Sequence, residues 1–251
     1  MANFLFRKSY RLSTLIKVDY DHLWGSKGVF TTIRVYGKKP KYIFIKEHLL
    51  QLNKSLKKLH INFFLTEKKL LELISNKLKI KKYNHLLRVA IKKNIISISL
   101  RPRLEPSNSF QCELINYQRI NAGIKNLQYK KILSMQKKID MQKKEILFYN
   151  KKNVLEGSTT NLILIKNNQI ILPKGNYYKG ITMNYLLKKI PNKHIFKVIS
   201  FLDLSNADEI ILVGSGKGVV KVTSVPKIKW FSSSSKMFKR FFSIYKAQLE
   251  L

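Results

Sequence analysis

The stretch NVLEGSTTNLILIKNNQIILP, residues 153–173, constrains the fold more than any other part of the chain. Its second half is rich in Ile and Leu and predicts two strands, at 161–166 and 169–173. Its first half predicts a polar turn that contains a single carboxylate, Glu156. Such an acid usually caps a turn or faces solvent, and a position directly before a buried strand makes a held, functional carboxylate the alternative.

Helical and strand patterns divide the rest of the chain into two parts. Leu49, Leu52, Leu56 and Leu59 have helical spacing. The predicted helices are 46–61, 66–78 with Thr66 as N-cap, one through Leu127 to Ile139, 182–190 and one near 235–249. The other predicted strands include 28–36 and 42–45 as a hairpin, then 85–91, 95–100, 110–115 and 144–149. This pattern predicts an α+β or mixed α/β fold with domains at 1–116 and 117–251.

The charge of the chain is strongly positive. Lys and Arg number 49 against 14 Asp and Glu, which gives a net charge of +35. Such an excess often indicates a polyanion partner. Here the basic residues are spread between apolar positions along the whole chain, and Lys, Asn and Ile are abundant together. We therefore favour a bias of composition over nucleic-acid binding, and expect the charge to attract small anionic substrates.

Several other classes of protein do not fit the sequence. Cys112 is the only cysteine, so an intrachain disulfide is impossible. The five histidines lack metal-ligand spacing, so we expect no metal. No run approaches the ~20 apolar residues of a membrane span, and we expect a soluble, cytoplasmic protein. The basic start MANFLFRKSYRLSTLIK is compatible with a transit segment, but we favour a first strand with basic flanks.

Three places in the second half have the composition of a pocket for a phosphate and a ring nitrogen. Lys125 follows a small-residue turn and is predicted to enter a helix; Glu156 is the second place. The third is a pair of turns, KGIT at 179–182 and GSGKG at 214–218. A helix N-terminus and a glycine-rich turn both offer backbone N–H groups to an anion. Each place taken alone is also compatible with an ordinary turn or a solvated side chain.

The order and spacing of these motifs resemble the fold-type IV family of pyridoxal-phosphate (PLP) enzymes, the class IV aminotransferases. The resemblance extends from GVFTTIRV and EHLLQLNKSLKKLHI through GIKNLQY, LEGSTTNLILIKNNQIILP and GITMNYLL to ADEIILVGSGKGVVKVTSV. It implies a two-domain fold like that of D-amino-acid aminotransferase, with the cofactor between the domains. It also implies a homodimer.

The resemblance implies a role for each motif residue. Lys125 would form the Schiff base with PLP and later move protons at the substrate carbon. Glu156 would hold the pyridine nitrogen protonated. Tyr129, expected four residues along the same helix, would lie near the phenolic oxygen of the cofactor. The phosphate would be held by Ile181, Thr182, Ser215 and Gly216.

Three departures from the family pattern concern cofactor binding. Gln51 stands where the family often has a phosphate-binding arginine, and an amide cannot supply a bidentate charged contact. Either Lys54 or another lysine replaces it, or the affinity for the cofactor is reduced. Met183 follows the GIT motif in place of an arginine, and the usual GDG near residue 25 is GSKG.

The segment FTTIRV favours one reaction within the family. Branched-chain aminotransferases typically have FEG there, whereas Thr31 and Thr32 resemble aminodeoxychorismate lyase. The substrate 4-amino-4-deoxychorismate carries two carboxylates, for which Arg34, Arg88 and Arg101 are candidates, although each is also compatible with a solvated strand arginine. We therefore predict a lyase that releases pyruvate and 4-aminobenzoate in folate synthesis. The alternatives are an aminotransferase for branched-chain or D-amino acids with 2-oxoglutarate, and a protein outside PLP chemistry.

Overall fold

The computed structural model describes residues 4–74, 80–191 and 193–251. Its helices are α1 (Ile45–Lys58), α2 (Glu67–Ile74), α3 (Lys130–Gln136), α4 (Ile181–Lys189), α5 (Phe201–Ser205) and α6 (Lys236–Glu250). Its strands in the first hundred residues are β1 (Phe6–Arg11), β2 (Lys17–Val18), β3 (Gly28–Gly37), β4 (Lys41–Ile43), β5 (Tyr83–Lys92) and β6 (Ile95–Pro102). The later strands are β7 (Gln111–Asn116), β8 (Lys144–Asn150), β9 (Asn153–Gly157), β10 (Asn161–Lys166), β11 (Gln169–Pro173), β12 (His194–Lys197), β13 (Glu209–Gly214), β14 (Gly218–Lys221), β15 (Ser224–Val225) and β16 (Trp230–Phe231). The mixed α/β class predicted from the sequence is confirmed.

The chain forms two compact units. The first contains Met1–Arg103 and Ile124–Lys131, and the second contains Leu104–Gly123 and Ile132–Leu251. The segment 124–131 belongs to the first unit because it bonds to β3: the Phe30 amide donates to the Lys125 carbonyl at 2.9 Å. The functional division at 116/117 stays a prediction.

The first unit is a six-stranded antiparallel sheet in the order β2-β1-β6-β5-β3-β4. The predicted hairpin of residues 28–45 is confirmed by the antiparallel pairing of β3 with β4. One face of the sheet packs against α1 through Leu49, Leu52 and Leu56, all buried. Each buried leucine contributes about 1.5–3 kcal/mol to folding. The predicted helix at 46–61 is therefore confirmed, with its last residues outside the helix.

The predicted N-cap of α2 is also confirmed. The Thr66 hydroxyl accepts from the Lys69 amide at 3.1 Å, and the helix begins at Glu67. A threonine oxygen there satisfies an amide that has no partner within the helix. The last residues predicted for this helix, 75–78, lie outside the described residues.

The second unit contains a ten-stranded mixed sheet. Eight strands follow the order β12-β11-β10-β9-β8-β7-β15-β16, and β13 pairs with β10 and β14. Strands β10 and β11 have the predicted bounds, 161–166 and 169–173, and are buried almost throughout. None of the helices in the described part of the chain combines the length and the apolar character that a membrane crossing requires.

Candidate active site

The two faces of the sheet in the first unit carry different side chains. Successive side chains on a strand point to opposite faces, and directly paired residues share a face. Val29, Ile33 and Val35 belong to the hydrophobic core with α1. The alternate residues of β3, namely Phe30, Thr32 and Arg34, therefore lie on the other face, which we call the polar face.

Three arginines from three strands share the polar face. Thr32 pairs with Arg88 of β5, and Arg34 pairs with Leu86, which pairs in turn with Arg101 of β6. Arg34 is buried, while Arg88 and Arg101 are half-buried. The register thus brings together four of the five substrate-binding residues predicted from the sequence.

The face also carries a cluster of aromatic rings around one of these arginines. The Trp24 ring stacks on Tyr129 at a centroid distance of 5.4 Å and meets Phe30 edge-on at 4.8 Å. The Arg88 guanidinium carbon lies 3.7 Å from the Trp24 centroid. Burial lowers the pKa of Arg88 to about 10, and Tyr20 and Asp21 oppose that shift. Arg88 is therefore a cation at neutral pH, which lies against an aromatic ring and donates through Nη2 to the His22 carbonyl at 2.8 Å.

Lys125 lies beside this cluster, in a segment that is extended. Its Nζ lies 5.2 Å from the Phe30 centroid. Asn126 forms a β-bridge with Val29, and the Leu127 amide donates to the Gly28 carbonyl at 2.9 Å. The helix predicted to begin near Lys125 begins only at Lys130. That prediction was wrong because backbone N–H and C=O groups of this segment form hydrogen bonds with β3 instead of within a helix. Tyr129 is therefore placed near Phe30 by aromatic packing and not by helical i+4 spacing.

Thr31, the remaining predicted substrate residue, lies on the face toward α1. Its hydroxyl and His48 Nδ1 form a hydrogen bond of 2.7 Å, and both side chains are buried. Burial, followed by the positive charge of Lys125, lowers the pKa of His48 to about 3. His48 is therefore neutral in the folded protein at physiological pH.

In the second unit, Glu156 forms a buried ion pair with Arg119. Arg119 Nε donates to Glu156 Oε1 at 2.8 Å, and Arg119 Nη2 donates to Glu156 Oε2. The side chains are 10% and 3% exposed. Glu156 lies on β9, opposite Asn161 of β10, and not in a turn as the sequence suggested. The polar turn comprises residues 158–160, directly after it.

Two buried tyrosines lie next to this ion pair. Burial and the negative charge of Glu156 raise the pKa of Tyr177 to about 12. Burial also raises the pKa of Tyr178 to about 12, and the positive charge of Arg119 opposes that shift. Among the described residues, the buried Tyr177 hydroxyl has no hydrogen-bond partner. It is thus a polar group available to a ligand.

Asn161 connects the glutamate segment to the KGIT motif. Its Nδ2 donates to the Tyr178 carbonyl at 2.5 Å, and its Oδ1 accepts from the Gly180 amide at 2.9 Å. Gly180 precedes the first residue of α4, Ile181, and has no side-chain cap bond. The N-terminal amides of α4 thus form a candidate anion site held in place by Asn161.

The structure also brings together the two turns predicted to bind phosphate. Thr182 Oγ1 and Ser215 Oγ lie 3.4 Å apart, and Ser215 and Gly216 form the tight turn between β13 and β14. Of the departures noted above, Gln51 is half-buried on α1, Lys54 is exposed, and Met183 is buried in α4.

Sequence reasoning missed several residues of this site, among them Arg119, Asn161 and Tyr177. Arginine is rare in this chain, with eight among 49 basic residues. Its guanidinium makes bidentate contacts that lysine cannot reproduce. Rarity of arginine in a lysine-rich chain is therefore a signal that could have pointed to Arg119.

Comparisons with known proteins agree on one family. The model of the Amino-transferase class IV family matches residues 28–225. A Methanocaldococcus jannaschii protein, provisionally named a branched-chain-amino-acid aminotransferase, is 24% identical over 238 residues that cover 82% of this chain and 81% of the relative. Class IV aminotransferases are PLP-dependent enzymes that act on small molecules.

Solved structures share the fold. A protein of Legionella pneumophila, provisionally named 4-amino-4-deoxychorismate lyase, has a TM-score of 0.73 and 22% identity, covering 88% of this chain and 91% of that one. A hypothetical aminotransferase of Mycobacterium tuberculosis, in its PLP-bound form, has a TM-score of 0.71 and 13% identity, covering 97% and 99%. These likenesses show the fold, and the match of the family model over residues 28–225 shows that the chain belongs to the class IV aminotransferase family of PLP-dependent enzymes.

Proposed function

We propose that this protein is a PLP-dependent 4-amino-4-deoxychorismate lyase. One observation carries the proposal: the register gathers Arg34, Arg88 and Arg101 on the face of the sheet that also bears Thr32 and Phe30. A substrate with two carboxylates needs more than one cationic partner, and arginine binds carboxylates bidentately. The neighbouring aromatic rings suit a substrate with an unsaturated ring.

The residues present fit the coenzyme. Glu156 is buried and anionic beside Arg119, and a carboxylate has about four lone-pair sites, so the ion pair leaves acceptor capacity for a ring N–H. The Tyr177 hydroxyl is buried without a partner among the described residues. The first turn of α4 lacks a side-chain cap, and Thr182 and Ser215 place two hydroxyls close together. Hydroxyls and helix N-terminal amides are groups of the kind that bind a phosphate.

Each motif residue then has a role in binding. Lys125 would hold the aldehyde of the coenzyme, Glu156 would accept from its ring nitrogen, and Tyr129 would contact it near the phenolic oxygen. The phosphate would be bound by Ile181, Thr182, Ser215 and Gly216.

The reaction is an elimination. The bound coenzyme supplies an electron sink at the substrate carbon that bears the amine. Lys125 takes the proton from that carbon and, as a general base, contributes about 10²–10⁴-fold to the rate. The C–O bond to the enolpyruvyl group breaks, and the departing group takes up a proton and becomes pyruvate. The ring becomes aromatic, and 4-aminobenzoate is released.

Thr32 is the better placed of the two threonines for contact with substrate. It lies on the polar face beside Arg88, whereas Thr31 bonds to His48 on the other face. We therefore assign Thr32 to substrate binding and give Thr31 an indirect role. Assembly as a homodimer and a cytoplasmic location stay predictions from the resemblance and the composition.

An aminotransferase is the second candidate, favoured by the Methanocaldococcus jannaschii relative, which is provisionally named for that activity. Its amino-acid substrate has one α-carboxylate, but its co-substrate 2-oxoglutarate has two, so the number of cations on the polar face fits both reactions. The aromatic rings beside Arg88 are the feature that favours the lyase.

The deciding experiment gives purified, PLP-supplemented protein two substrate sets in parallel. One is 4-amino-4-deoxychorismate, with release of 4-aminobenzoate as the readout. The other is isoleucine or a D-amino acid with 2-oxoglutarate, with glutamate as the readout. We expect only the first to turn over, and glutamate formation without 4-aminobenzoate would replace the lyase with the aminotransferase.

A further inference from the structure

A second buried carboxylate lies at the far side of the turn that follows Glu156. Glu145, on β8, is fully buried. Its Oε1 accepts from the Ser158 hydroxyl at 2.5 Å and from the Ile146 amide at 3.0 Å. Its Oε2 accepts from the hydroxyls of Thr159 at 2.5 Å and Thr160 at 3.4 Å. Every hydroxyl of the Ser-Thr-Thr turn is therefore directed at one side chain.

Glu145 is held by neutral donors. Across residues 4–74, 80–191 and 193–251, no lysine, arginine or histidine forms a salt bridge with it. Burial of a carboxylate is costly unless hydrogen bonds replace its water. Bonds to a charged acceptor are short and about twice as strong as neutral ones. The carboxylate therefore fixes the turn, because any movement of residues 158–160 withdraws donors from a buried charge.

The turn transmits this constraint to Glu156 through the backbone. The Ser158 amide donates to the Ile146 carbonyl at 2.8 Å, next to Glu145, and the Gly157 amide donates to the Thr160 carbonyl at 2.9 Å. A Cβ at Gly157 would overlap Thr160 Oγ1 and lie 3.1 Å from Glu145 Cγ. Glu156 is thus followed directly by a segment whose backbone has little room to move.

We propose that Glu145 is a positioning residue for Glu156. Its carboxylate collects the Ser-Thr-Thr hydroxyls and so fixes the orientation of the Glu156 side chain. This inference rests on the proposed function, since Glu156 acts on a bound coenzyme. The inference also explains the polar turn without the coenzyme, because its three hydroxyls donate hydrogen bonds to a buried carboxylate.

The chain supplies a matched control in Glu209. This carboxylate is 1% exposed, lies on β13, and is likewise held by neutral donors, the Ser234 hydroxyl and the amides of Met237 and Phe238. Those donors belong to the start of α6 and not to the coenzyme motifs. Glu145→Gln and Glu209→Gln therefore remove equivalent charges, and only one of them faces the turn.

The first measurement is amide hydrogen exchange on the protein without coenzyme. Glu145→Gln should speed exchange at residues 157–160 about 10- to 100-fold, the loss of one bond to a charged acceptor. Glu209→Gln should speed exchange at the start of α6 and leave 157–160 unchanged. Unchanged exchange at 157–160 in Glu145→Gln would overturn the proposal. If that variant does not fold, Ser158→Ala with Thr159→Val removes two donors and leaves the carboxylate, with the same expectation for residue 157.

The second measurement is the visible spectrum of added PLP against pH. Glu145→Gln should shift the midpoint of the spectral change and weaken PLP binding about tenfold, and Glu209→Gln should do neither. Equal effects of both variants would reduce Glu145 to a general contributor to stability. If the wild-type protein binds no PLP, the proposed function fails, while the exchange experiment still decides whether Glu145 fixes the turn.

Discussion

The two units handle buried charge in opposite ways. On the polar face of the first sheet, cations lie against aromatic rings: Arg88 against Trp24, and Lys125 near Phe30. In the second unit, anions are enclosed by donors: Glu156 by Arg119, and Glu145 by three hydroxyls. An aromatic face stabilises a cation without fixing the direction of its N–H groups, whereas hydrogen-bond donors around a carboxylate fix its orientation. The first unit is therefore suited to receive an anionic substrate, and the second to hold groups in fixed positions.

The largest effect is expected from removal of Lys125 in the first unit. Lys125→Ala should lower turnover about 10³-fold or more, because the general base and the attachment point are lost together. Borohydride treatment of the wild-type protein with PLP should add a stable mass to the peptide that contains Lys125. Lys130→Gln, an exposed lysine in the same segment, serves as the control and should keep both properties. Full turnover in Lys125→Ala would remove this residue from the mechanism.

Breaking the ion pair tests the second unit. Arg119→Met should lower the free energy of unfolding by about 3–5 kcal/mol, because it leaves Glu156 buried without its partner. Glu156→Gln with Arg119→Met should cost less than the sum of the single changes, a coupling that a double-mutant cycle in urea measures.

An exposed pair provides the scale for that measurement. Lys166 and Asp208 lie 3.1 Å apart, with side chains 44% and 29% exposed, and Lys166→Met should cost at most about 1 kcal/mol. Equal costs for the buried and exposed pairs would show that Arg119 does not hold Glu156.

Changes on the polar face should act on substrate binding more than on stability. Arg34→Met, Arg88→Met and Arg101→Met should each raise KM about 10- to 100-fold, the loss of one hydrogen bond to a charged group. Arg11→Met provides a control, since Arg11 lies exposed at the end of β1 in the same sheet. Loss of kcat at constant KM would mean that the arginines order the catalytic groups instead of the substrate carboxylates.

How far the sequence predicted the molecule depends on the range of the interactions involved. Strands β10 and β11 were predicted to the residue because a run of Ile and Leu between polar turns is a local signal. The helix expected at Lys125 failed because pairing with β3, almost a hundred residues earlier, overrides local propensity. The shared face of Arg34, Arg88 and Arg101 depends on the register between β3, β5 and β6, which the sequence analysis did not assign. Arg119 was missed for the same reason, since its partner lies 37 residues away.

The last prediction concerns His48, where the positive charge of the first unit acts on a buried side chain of the same unit. Burial and Lys125 lower the pKa of His48 to about 3, whereas an unfolded histidine has a pKa of about 6.5. The unfolded chain therefore takes up a proton below pH 6.5 that the folded protein refuses down to about pH 3. The contribution of His48 to the free energy of unfolding has its full value above pH 6.5 and is about 2 kcal/mol smaller at pH 5.

Urea unfolding of the wild-type protein and His48→Gln at pH 8 and pH 5 isolates this contribution. Burial also lowers the pKa of His85, so the wild-type protein loses stability from two histidines in the same range. The difference between the two proteins reports His48 alone.

His60→Gln, at an exposed position, should follow the wild-type curve. Lys125→Met should reduce the loss only partly, because burial is the larger cause of the shift. A His48→Gln curve parallel to the wild type would mean that His48 is protonated in the folded protein at pH 5, beside the half-buried Lys125.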